Sequence, residues 1–134
     1  MSHSKILEHL YLGNQYSTEI IKNIDVIVSI GCNSKNKDNK PNLKISVRDK
    51  ITTDITPFLD QVTEYIDIEI NKNKKVLVHC KAGINRSPAF VLAYLCRYNN
   101  MSIDEAQKYI LQRRKVQFKE HYISQIEKWL VRLI

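Results

Sequence analysis

One segment near the middle of the chain reads Val76-Leu77-Val78-His79-Cys80-Lys81-Ala82-Gly83-Ile84-Asn85-Arg86-Ser87-Pro88. Its first three residues are an apolar run, rich in β-branched side chains, of the kind that forms a buried strand. Pro88 suits the first turn of a helix, because its fixed φ angle and its missing N–H are both tolerated there. The loop between them therefore faces a helix N-terminus, where backbone N–H groups and the helix dipole create an anion site. We predict that this loop holds the three non-bridging oxygens of a phosphate group, with Cys80 beneath the phosphorus.

The side chains of this loop have chemical roles that fit their positions. The amides, the helix dipole and Arg86 favour the thiolate of Cys80, which then acts as a nucleophile. Arg86 presents a planar fork that matches two phosphate oxygens, and this match tightens as charge spreads over the oxygens in the transition state. We expect Ser87 to donate its hydroxyl group to the sulfur. We expect His79 to hold the loop by hydrogen bonding to the backbone around Cys80.

The loop backbone is predicted to bind the substrate. Gly83 allows a positive φ angle or a close approach of the backbone to phosphate. The predicted substrate-binding residues are Lys81, Ala82, Gly83, Ile84, Asn85 and Arg86. We predict no metal and no cofactor, because the guanidinium and the amides already supply the positive field that Mg²⁺ supplies at other phosphoryl-transfer sites. A zinc site is not expected either, since the chain has no Cys-x-x-Cys pair.

A second catalytic group must protonate the leaving oxygen, because an alkoxide or phenolate is a poor leaving group. Asp49 follows a predicted strand from Leu43 to Val47, so in a parallel sheet it emerges at the same edge as Cys80. We therefore predict that Asp49 is the general acid. Asp54 is the alternative, and its other role is to cap the helix that begins near Thr56 and Pro57.

The composition predicts one domain, residues 1–134, within an intracellular compartment, cytoplasmic or nuclear. A chain of 134 residues with 43% hydrophobic residues is long enough for a single core. No apolar run approaches the ~20 residues that span a bilayer, so no membrane partner is expected. Three cysteines without a disulfide framework favour a reducing environment. A monomer is the expected oligomeric state.

The net charge of +7 favours encounters with phosphoesters and other acidic partners. Basic residues cluster at several places, among them Arg113-Arg114-Lys115 at the end of a predicted helix. Cations are favoured at a helix C-terminus and in solvated loops. We interpret these clusters as solvent-exposed rather than as a dedicated docking surface.

The chain alternates strands with helices, which predicts an α/β fold with a central, mostly parallel sheet of about four to five strands flanked by helices. Besides residues 43–47, we predict strands at residues 6–12, 25–30 and 75–79. Ser17 is expected to cap a short helix, and Thr56 to open a longer one. Pro88–Tyr98 is predicted as a buried helix, and a capping box at Ser102–Glu105 starts a helix to about Lys115. The last helix is predicted to bury a stripe that includes Ile126 and Leu133, with Trp129 beside it.

The loop resembles the signature loop of cysteine-dependent protein phosphatases, and the Arg-Ser-Pro ending followed by Ala89–Leu95 is similar to the small dual-specificity branch of the protein tyrosine phosphatase superfamily. Leu10-Tyr11-Leu12-Gly13 is similar to the opening strand motif of that branch, and residues 46–49 followed by Asp54-Ile55 resemble its general-acid loop. The resemblance implies hydrolysis of phosphotyrosine and phosphoserine or phosphothreonine esters of proteins through a phosphocysteine intermediate. It also implies a shallow pocket, because the segment that deepens the cleft of larger relatives is absent.

One feature departs from the family pattern. After the penultimate helix the family often carries Pro-Asn, whereas this chain reads Val116-Gln117-Phe118-Lys119, so any support that this Asn gives the loop must come from elsewhere. Asn85 before Arg86 resembles the RNA 5′-triphosphatase branch, which leaves an RNA 5′ end as an alternative substrate, although Ser-Pro stands where that branch prefers Thr-Gly. A catalytically silent phosphoprotein-binding module is a further alternative.

Overall fold

A five-stranded sheet forms the centre of the computed structural model, which describes residues 2–134. The strands run in the spatial order β1-β2-β5-β3-β4, and every neighbouring pair is parallel except β1 with β2. Their bounds are β1 His3–Leu7, β2 Leu10–Gly13, β3 Val26–Ile30, β4 Asn42–Ile45 and β5 Val76–His79. The prediction of a mostly parallel sheet of four to five strands is therefore confirmed.

The two strands with continuous burial lie at the centre of the sheet. Every residue of β3 and of β5 is buried, as expected for parallel strands that are covered on both faces. The two strands are in register, with Val28 opposite Val78 and Ser29 opposite His79. Their carboxyl ends therefore lie side by side, and the residues that follow them meet at one edge of the sheet.

The prediction of one strand over residues 6–12 is wrong. The segment forms an antiparallel hairpin, because Glu8 and His9 interrupt the apolar run and turn the chain between β1 and β2. The backbone carbonyl of His9 still accepts a hydrogen bond of 2.9 Å from the N–H of Val76 at the start of β5. The hairpin thus adds one antiparallel edge strand to an otherwise parallel sheet.

Five helices complete the described part of the chain: α1 Ser17–Ile20, α2 Thr56–Asn71, α3 Arg86–Tyr98, α4 Ile103–Leu111 and α5 Glu120–Arg132. Residues 87–95 of α3 are all buried, because this helix lies between the sheet and helices α2, α4 and α5. The main core contains the inward side chains of the sheet, α3 and the apolar faces of the helices around it.

Several helix bounds differ from the sequence-based ones. Helix α3 begins at Arg86, two residues before Pro88, and α4 ends at Leu111 rather than near Lys115. Ser17 does not cap α1; its hydroxyl donates to the carbonyl of Ser2 instead, at 2.8 Å. The capping box of α4 is confirmed, since Ser102 Oγ accepts from the N–H of Glu105 and the Glu105 carboxylate accepts from the N–H of Ser102.

The buried stripe of α5 is centred one position away from the predicted one. Ile126 is fully buried, but its buried partners are Tyr122 and Trp129, while Leu133 is 40% exposed. Tyr122 and Trp129 bury their rings and direct their polar atoms to carboxylates, at Asp49 and Asp60. Within residues 2–134, no helix is both long and apolar enough to cross a membrane.

Candidate active site

The loop between β5 and α3, residues 80–85, and the first turn of α3 surround a single sulfur atom. Cys80 is only 2% exposed, and its Sγ accepts hydrogen bonds from the backbone N–H of Gly83 at 3.2 Å and from the hydroxyl of Ser87 at 3.1 Å. Because α3 starts at Arg86, the first turn of the helix and its positive dipole end belong to the loop itself. The loop and the start of α3 therefore bring two hydrogen-bond donors and a helix N-terminus to the sulfur of Cys80.

The two other cysteines have different surroundings. Burial, with a smaller contribution from Glu105, raises the pKa of the Cys96 thiol to about 11. Burial and the neighbouring Cys80 raise the pKa of Cys32, and Arg86 and Lys81 offset only part of that effect. Both thiols are therefore held protonated, which disfavours them as nucleophiles.

Arg86 is held by backbone carbonyls from the segments that follow two other strands of the sheet. Its Nη1 donates to the carbonyl of Gly31, just after β3, at 3.2 Å and to the carbonyl of Val47, beyond β4, at 3.0 Å. These bonds use one nitrogen of the guanidinium. They fix the plane of the fork at the edge of the sheet where Cys80 also lies.

His79 supports the loop from beneath. The amide of Asn42, oriented by the carbonyls of Ile27 and Leu43, donates to Ser29 Oγ at 3.0 Å, and Ser29 Oγ lies 2.6 Å from His79 Nε2. Nδ1 lies 3.4 Å from the carbonyl oxygen of Cys80, which can only accept, so the ring proton is assigned to Nδ1 and Nε2 accepts from the Ser29 hydroxyl. Burial lowers the pKa of His79, and the bond to the Cys80 carbonyl offsets only part of this, so the ring is neutral. The expected hydrogen bond from His79 to the backbone at Cys80 is present.

Gly83 adopts the left-handed conformation, with a φ angle of 70°. A Cβ atom at this residue would lie 2.5 Å from the carbonyl oxygen of Gly13 and 2.6 Å from Nη2 of Arg114. Both the backbone conformation and the space around it therefore require glycine.

The interpretation of Arg114 as a solvated residue is wrong. Its side chain is buried, and its Nε donates to the carbonyl of Gly83 at 2.9 Å while Nη2 faces the carbonyl of Ala82 at 3.4 Å. Helix α4 ends early, at Leu111, and this directs Arg114 inward against the loop. The N–H of Gln117 also donates to the carbonyl of Ile84, at 2.9 Å. Support for the loop thus comes from this segment although the family's Pro-Asn pair is missing.

Asp49 lines the same cleft as Cys80 and accepts three hydrogen bonds. Oδ2 accepts from Asn85 Nδ2 at 2.9 Å, while Oδ1 accepts from Lys119 Nζ at 3.1 Å and from the Tyr122 hydroxyl at 3.0 Å. Burial acts to raise the pKa of the Asp49 carboxyl, but the bonds from Lys119, Asn85 and Tyr122 outweigh it and hold the pKa below its usual value. Burial and Asp49 raise the pKa of Tyr122, so its hydroxyl remains a donor.

Asp54 occupies a different place. It is exposed, and its Oδ1 accepts a hydrogen bond of 3.0 Å from the N–H of Thr56 at the start of α2. This is the contact expected of a residue that stabilises a helix start. Asp54 does not contribute to the cleft that contains Cys80.

An open cleft brings most of the candidate residues together. It is lined by Gln15, Asp49, Cys80, Lys81, Ala82, Asn85 and Arg86. His79 and Ser87 are buried behind the loop, while Gly83 and Ile84, which were predicted to bind the substrate, do not line the cleft. Within residues 2–134, no group of three His, Cys, Asp or Glu side chains is placed to hold a metal ion.

Sequence reasoning did not identify five supporting residues: Gly31, Ser29, Arg114, Lys119 and Tyr122. Gly31 had a usable signal, because it is one of three glycines and follows directly after a buried strand. The others had none, since a basic run, a serine in a strand, a tyrosine on a helix face and a single lysine beside a glutamate are all common.

Comparison with known proteins agrees with this geometry. The family model described as the catalytic domain of dual-specificity phosphatases matches residues 10–131. A protein of Invertebrate iridescent virus 6 that is named as a tyrosine phosphatase, 123R, is 33% identical over 97% of this chain and 95% of its own. Human dual specificity protein phosphatase 1 is 34% identical over 84% of this chain. The matched region spans only 32% of the length of that protein.

Solved structures show the same fold. Human DUSP28 superposes with a TM-score of 0.91 and 19% identity, over 99% of this chain and 95% of its own. The human tyrosine phosphatase-like serine/threonine/tyrosine-interacting protein superposes with a TM-score of 0.89 and 24% identity, over 98% of both chains.

The chain belongs to the dual-specificity phosphatase family of cysteine-dependent phosphatases. The predictions of the α/β phosphatase fold and of a protein phosphatase are confirmed. The RNA 5′-triphosphatase and silent-module alternatives are not favoured by these relatives. Asn85, which suggested the RNA alternative, instead contacts Asp49.

Proposed function

We propose that this chain removes phosphate from both phosphotyrosine and phosphoserine or phosphothreonine residues of proteins, by two displacements at Cys80. The observation that carries the proposal is the surrounding of Cys80 Sγ, which accepts from Gly83 and Ser87 in a cleft that also contains Arg86 and Asp49. Two hydrogen-bond donors and a helix N-terminus converge on this sulfur, which the proposed mechanism uses as the nucleophile. The remaining loop amides and the Arg86 fork are left for the phosphate oxygens.

In the first displacement, the Cys80 thiolate attacks phosphorus in line with the leaving oxygen. Arg86 and the amides of residues 81–86 hold the equatorial oxygens as their charge increases. Asp49, in its protonated form, gives a proton to the departing oxygen, so that the protein product leaves as an alcohol or phenol. A phosphocysteine remains on the enzyme.

In the second displacement, water replaces the sulfur. Asp49, now a carboxylate, accepts a proton from the attacking water, and Ser87 donates to Sγ as the thiolate leaves. Inorganic phosphate is released and Asp49 is protonated again. His79 stays neutral behind the loop and holds the carbonyl of Cys80 in place.

The breadth of the proposed specificity follows from the openness of the cleft. The residues that line it come from the loop itself, from Asp49 and from Gln15, whose N–H donates to the carbonyl of Lys81 at 3.1 Å. Among the described residues, none forms a deep wall around the cleft that would exclude the shorter side chains of phosphoserine and phosphothreonine. Phosphate and other oxyanions are expected to bind in the same loop as competitive inhibitors.

We further propose that residues 1–134 act as one catalytic domain, as a monomer in an intracellular compartment. The family model spans most of this range, and Cys32, Cys80 and Cys96 are all free thiols. A reactive thiolate persists longest where the surroundings are reducing.

The proposal is tested by turnover of a phosphotyrosyl peptide, a phosphothreonyl peptide of the same flanking sequence and a 5′-triphosphorylated RNA. We expect hydrolysis of both peptides, loss of turnover in Cys80→Ser, and retention of phosphate binding in that variant, because a serine hydroxyl is far less acidic than a thiol. Cys96→Ser is the matched control and should behave as wild type. Release of the γ-phosphate from RNA without peptide hydrolysis would contradict the proposal, as would turnover in Cys80→Ser.

A further inference from the structure

Lys119 occupies a position where a lysine is locally unfavourable. It is the N-cap residue of α5, a position that favours Ser, Thr, Asp and Asn, and its side chain makes no cap bond among the described residues. Its ammonium also lies at the positive end of the helix dipole, where cations are disfavoured. A residue that is unfavourable both as an N-cap and in the field of the helix dipole is expected to make a stabilising contact elsewhere.

That compensation is the carboxylate of Asp49. Lys119 Nζ lies 3.1 Å from Asp49 Oδ1, and the two side chains are only 33% and 24% exposed. The segment that carries Lys119 is anchored to the phosphate loop, because the N–H of Gln117 donates to the carbonyl of Ile84. The backbone that carries Lys119 is therefore tied to the phosphate loop.

The other groups around Asp49 cannot replace Lys119. From α5, Tyr122 donates a neutral hydroxyl to the same oxygen, and from the loop Asn85 donates a neutral amide to the other oxygen. Cys80, Lys81 and Arg86 line the same cleft, but Arg86 Nη1 is bound to the carbonyls of Gly31 and Val47. Among residues 2–134, Lys119 is the cation whose ammonium contacts this carboxylate.

We propose, on the basis of the function proposed above, that Lys119 is a positioning residue that acts through Asp49: it orients the carboxyl beside the phosphate loop and ties the pH range of catalysis to an ion pair. Asp49 accepts three hydrogen bonds, and a carboxylate offers about four lone-pair sites, so Oδ2 keeps a site for the proton that Asp49 gives to the leaving group. Tyr122 is 1% exposed and Asn85 is part of the loop. Lys119 has a flexible and partly exposed stem, so it is the donor with room to adjust when the proton cancels the charge of Asp49.

The sign of the pH effect follows from the charge. An ammonium group beside Asp49 favours the carboxylate and thus loss of the acid's proton at lower pH. The basic limb of the kcat/KM profile reports loss of that proton. Removing the ammonium therefore moves the basic limb to higher pH, while the loss of orientation lowers the rate on substrates that need protonation.

The test compares Lys119→Met, which keeps the apolar stem, with Lys119→Arg, which keeps the charge, and with Lys128→Met. Lys128 is exposed on the same helix, so its loss changes the net charge equally. On the pH-independent plateau we expect Lys119→Met to lose about tenfold in kcat/KM on phenyl phosphate, less than the ~10²-fold cost of displacing a reacting group by 1 Å. The loss on p-nitrophenyl phosphate should be about threefold or less, because this leaving group needs little protonation.

The basic limb of Lys119→Met should lie at higher pH than in wild type, and Lys119→Arg should restore it. The inference is overturned if the limb of Lys119→Met coincides with that of Lys128→Met, or if both substrates lose equally. Asp49→Asn separates this result from the proposed function. If Asp49→Asn also leaves the leaving-group dependence unchanged, Asp49 is not the acid and both statements fall; if it alters that dependence, only the role of Lys119 is refuted.

Discussion

Nη1 of Arg86 lies 3.2 Å from the carbonyl oxygen of Gly31 and fills the space that a side chain of residue 31 would need. A Cβ atom there would lie 2.0 Å from Nη1 and 2.3 Å from the carbonyl oxygen of Val47. The φ angle of Gly31 is +70°, which other residues rarely adopt. Gly31 therefore affects catalysis by leaving room for the Arg86 guanidinium, which occupies the space that a side chain at residue 31 would take.

Gly31→Ala should lower kcat/KM by about 10²-fold, because the added methyl group displaces the guanidinium from the phosphate position. Stability should also fall by at least about 1 kcal/mol, since alanine is strained at a positive φ angle. Steady-state kinetics and urea unfolding measure the two effects. Asn33→Ala, an exposed substitution in the same connection, is the control and should leave both quantities unchanged. If Gly31→Ala kept activity within a fewfold of wild type, the guanidinium would be able to reach the phosphate position despite the added methyl group.

Arg86→Lys keeps the charge of residue 86 and removes the planar fork. Lysine has no second parallel N–H with which to bind two equatorial oxygens, and it cannot reproduce the bond geometry to Gly31 and Val47. We expect kcat to fall by about 10²-fold or more, the cost of losing one well-placed transition-state donor. Turnover of p-nitrophenyl phosphate measures this, and a loss confined to KM would argue that Arg86 binds the ground state only.

Replacing Arg114 is predicted to lower the stability of the folded chain. Arg114→Met fills the space but leaves the carbonyl of Gly83 without the 2.9 Å bond from Nε, and an unsatisfied buried acceptor costs about 1–3 kcal/mol. For a chain of this length that corresponds to a fall in Tm of several degrees. Arg113→Met is the matched control, because Arg113 is exposed and stacks on Tyr109 at the surface. Equal Tm values for the two variants would remove Arg114 from the support of the loop.

The contrast between Arg86 and Arg114 shows what the sequence reveals and what it does not. Arg86 belongs to a contiguous loop, and the loop's full set of His79, Cys80, Gly83, Arg86 and Ser87 at fixed positions predicts its chemistry. Arg114 lies 34 residues beyond Cys80 in a basic run that is normally solvated, and its orientation depends on where α4 ends. Local loops between a strand and a helix can be predicted from residue types, whereas side chains that arrive from other elements depend on tertiary packing.

The same distinction applies to the fold. The central strands β3 and β5 and the capping box of α4 were predictable, because each is encoded within a few neighbouring residues. The hairpin of β1 and β2 was not, since Glu8 and His9 are also compatible with an edge strand that continues. The burial of Tyr122 in α5 was missed because its hydroxyl has a partner, Asp49, that only the folded chain brings near.

The last prediction separates Asp49 from Asp54. Asp49→Asn should reduce hydrolysis of alkyl phosphates much more than hydrolysis of activated aryl phosphates, because a good leaving group needs little protonation; a positioned acid contributes about 10²–10⁴-fold. It should also flatten the basic limb of the kcat/KM profile, since asparagine has no proton to lose. In wild type this limb should lie at low pH, because the bonds that Asp49 accepts hold its pKa below the usual carboxyl value.

Asp54→Asn is the matched control, with the same change of charge and shape five residues away. Asp54 Oδ1 accepts from the N–H of Thr56, and asparagine keeps an acceptor there, so we expect only a small change in Tm and an unchanged dependence on the leaving group. Rates on a series of phenyl phosphates with different leaving-group pKa values measure that dependence. If Asp54→Asn steepened it and Asp49→Asn did not, the assignment of the acid would have to be reversed, and the ion pair of Lys119 with Asp49 would be structural only.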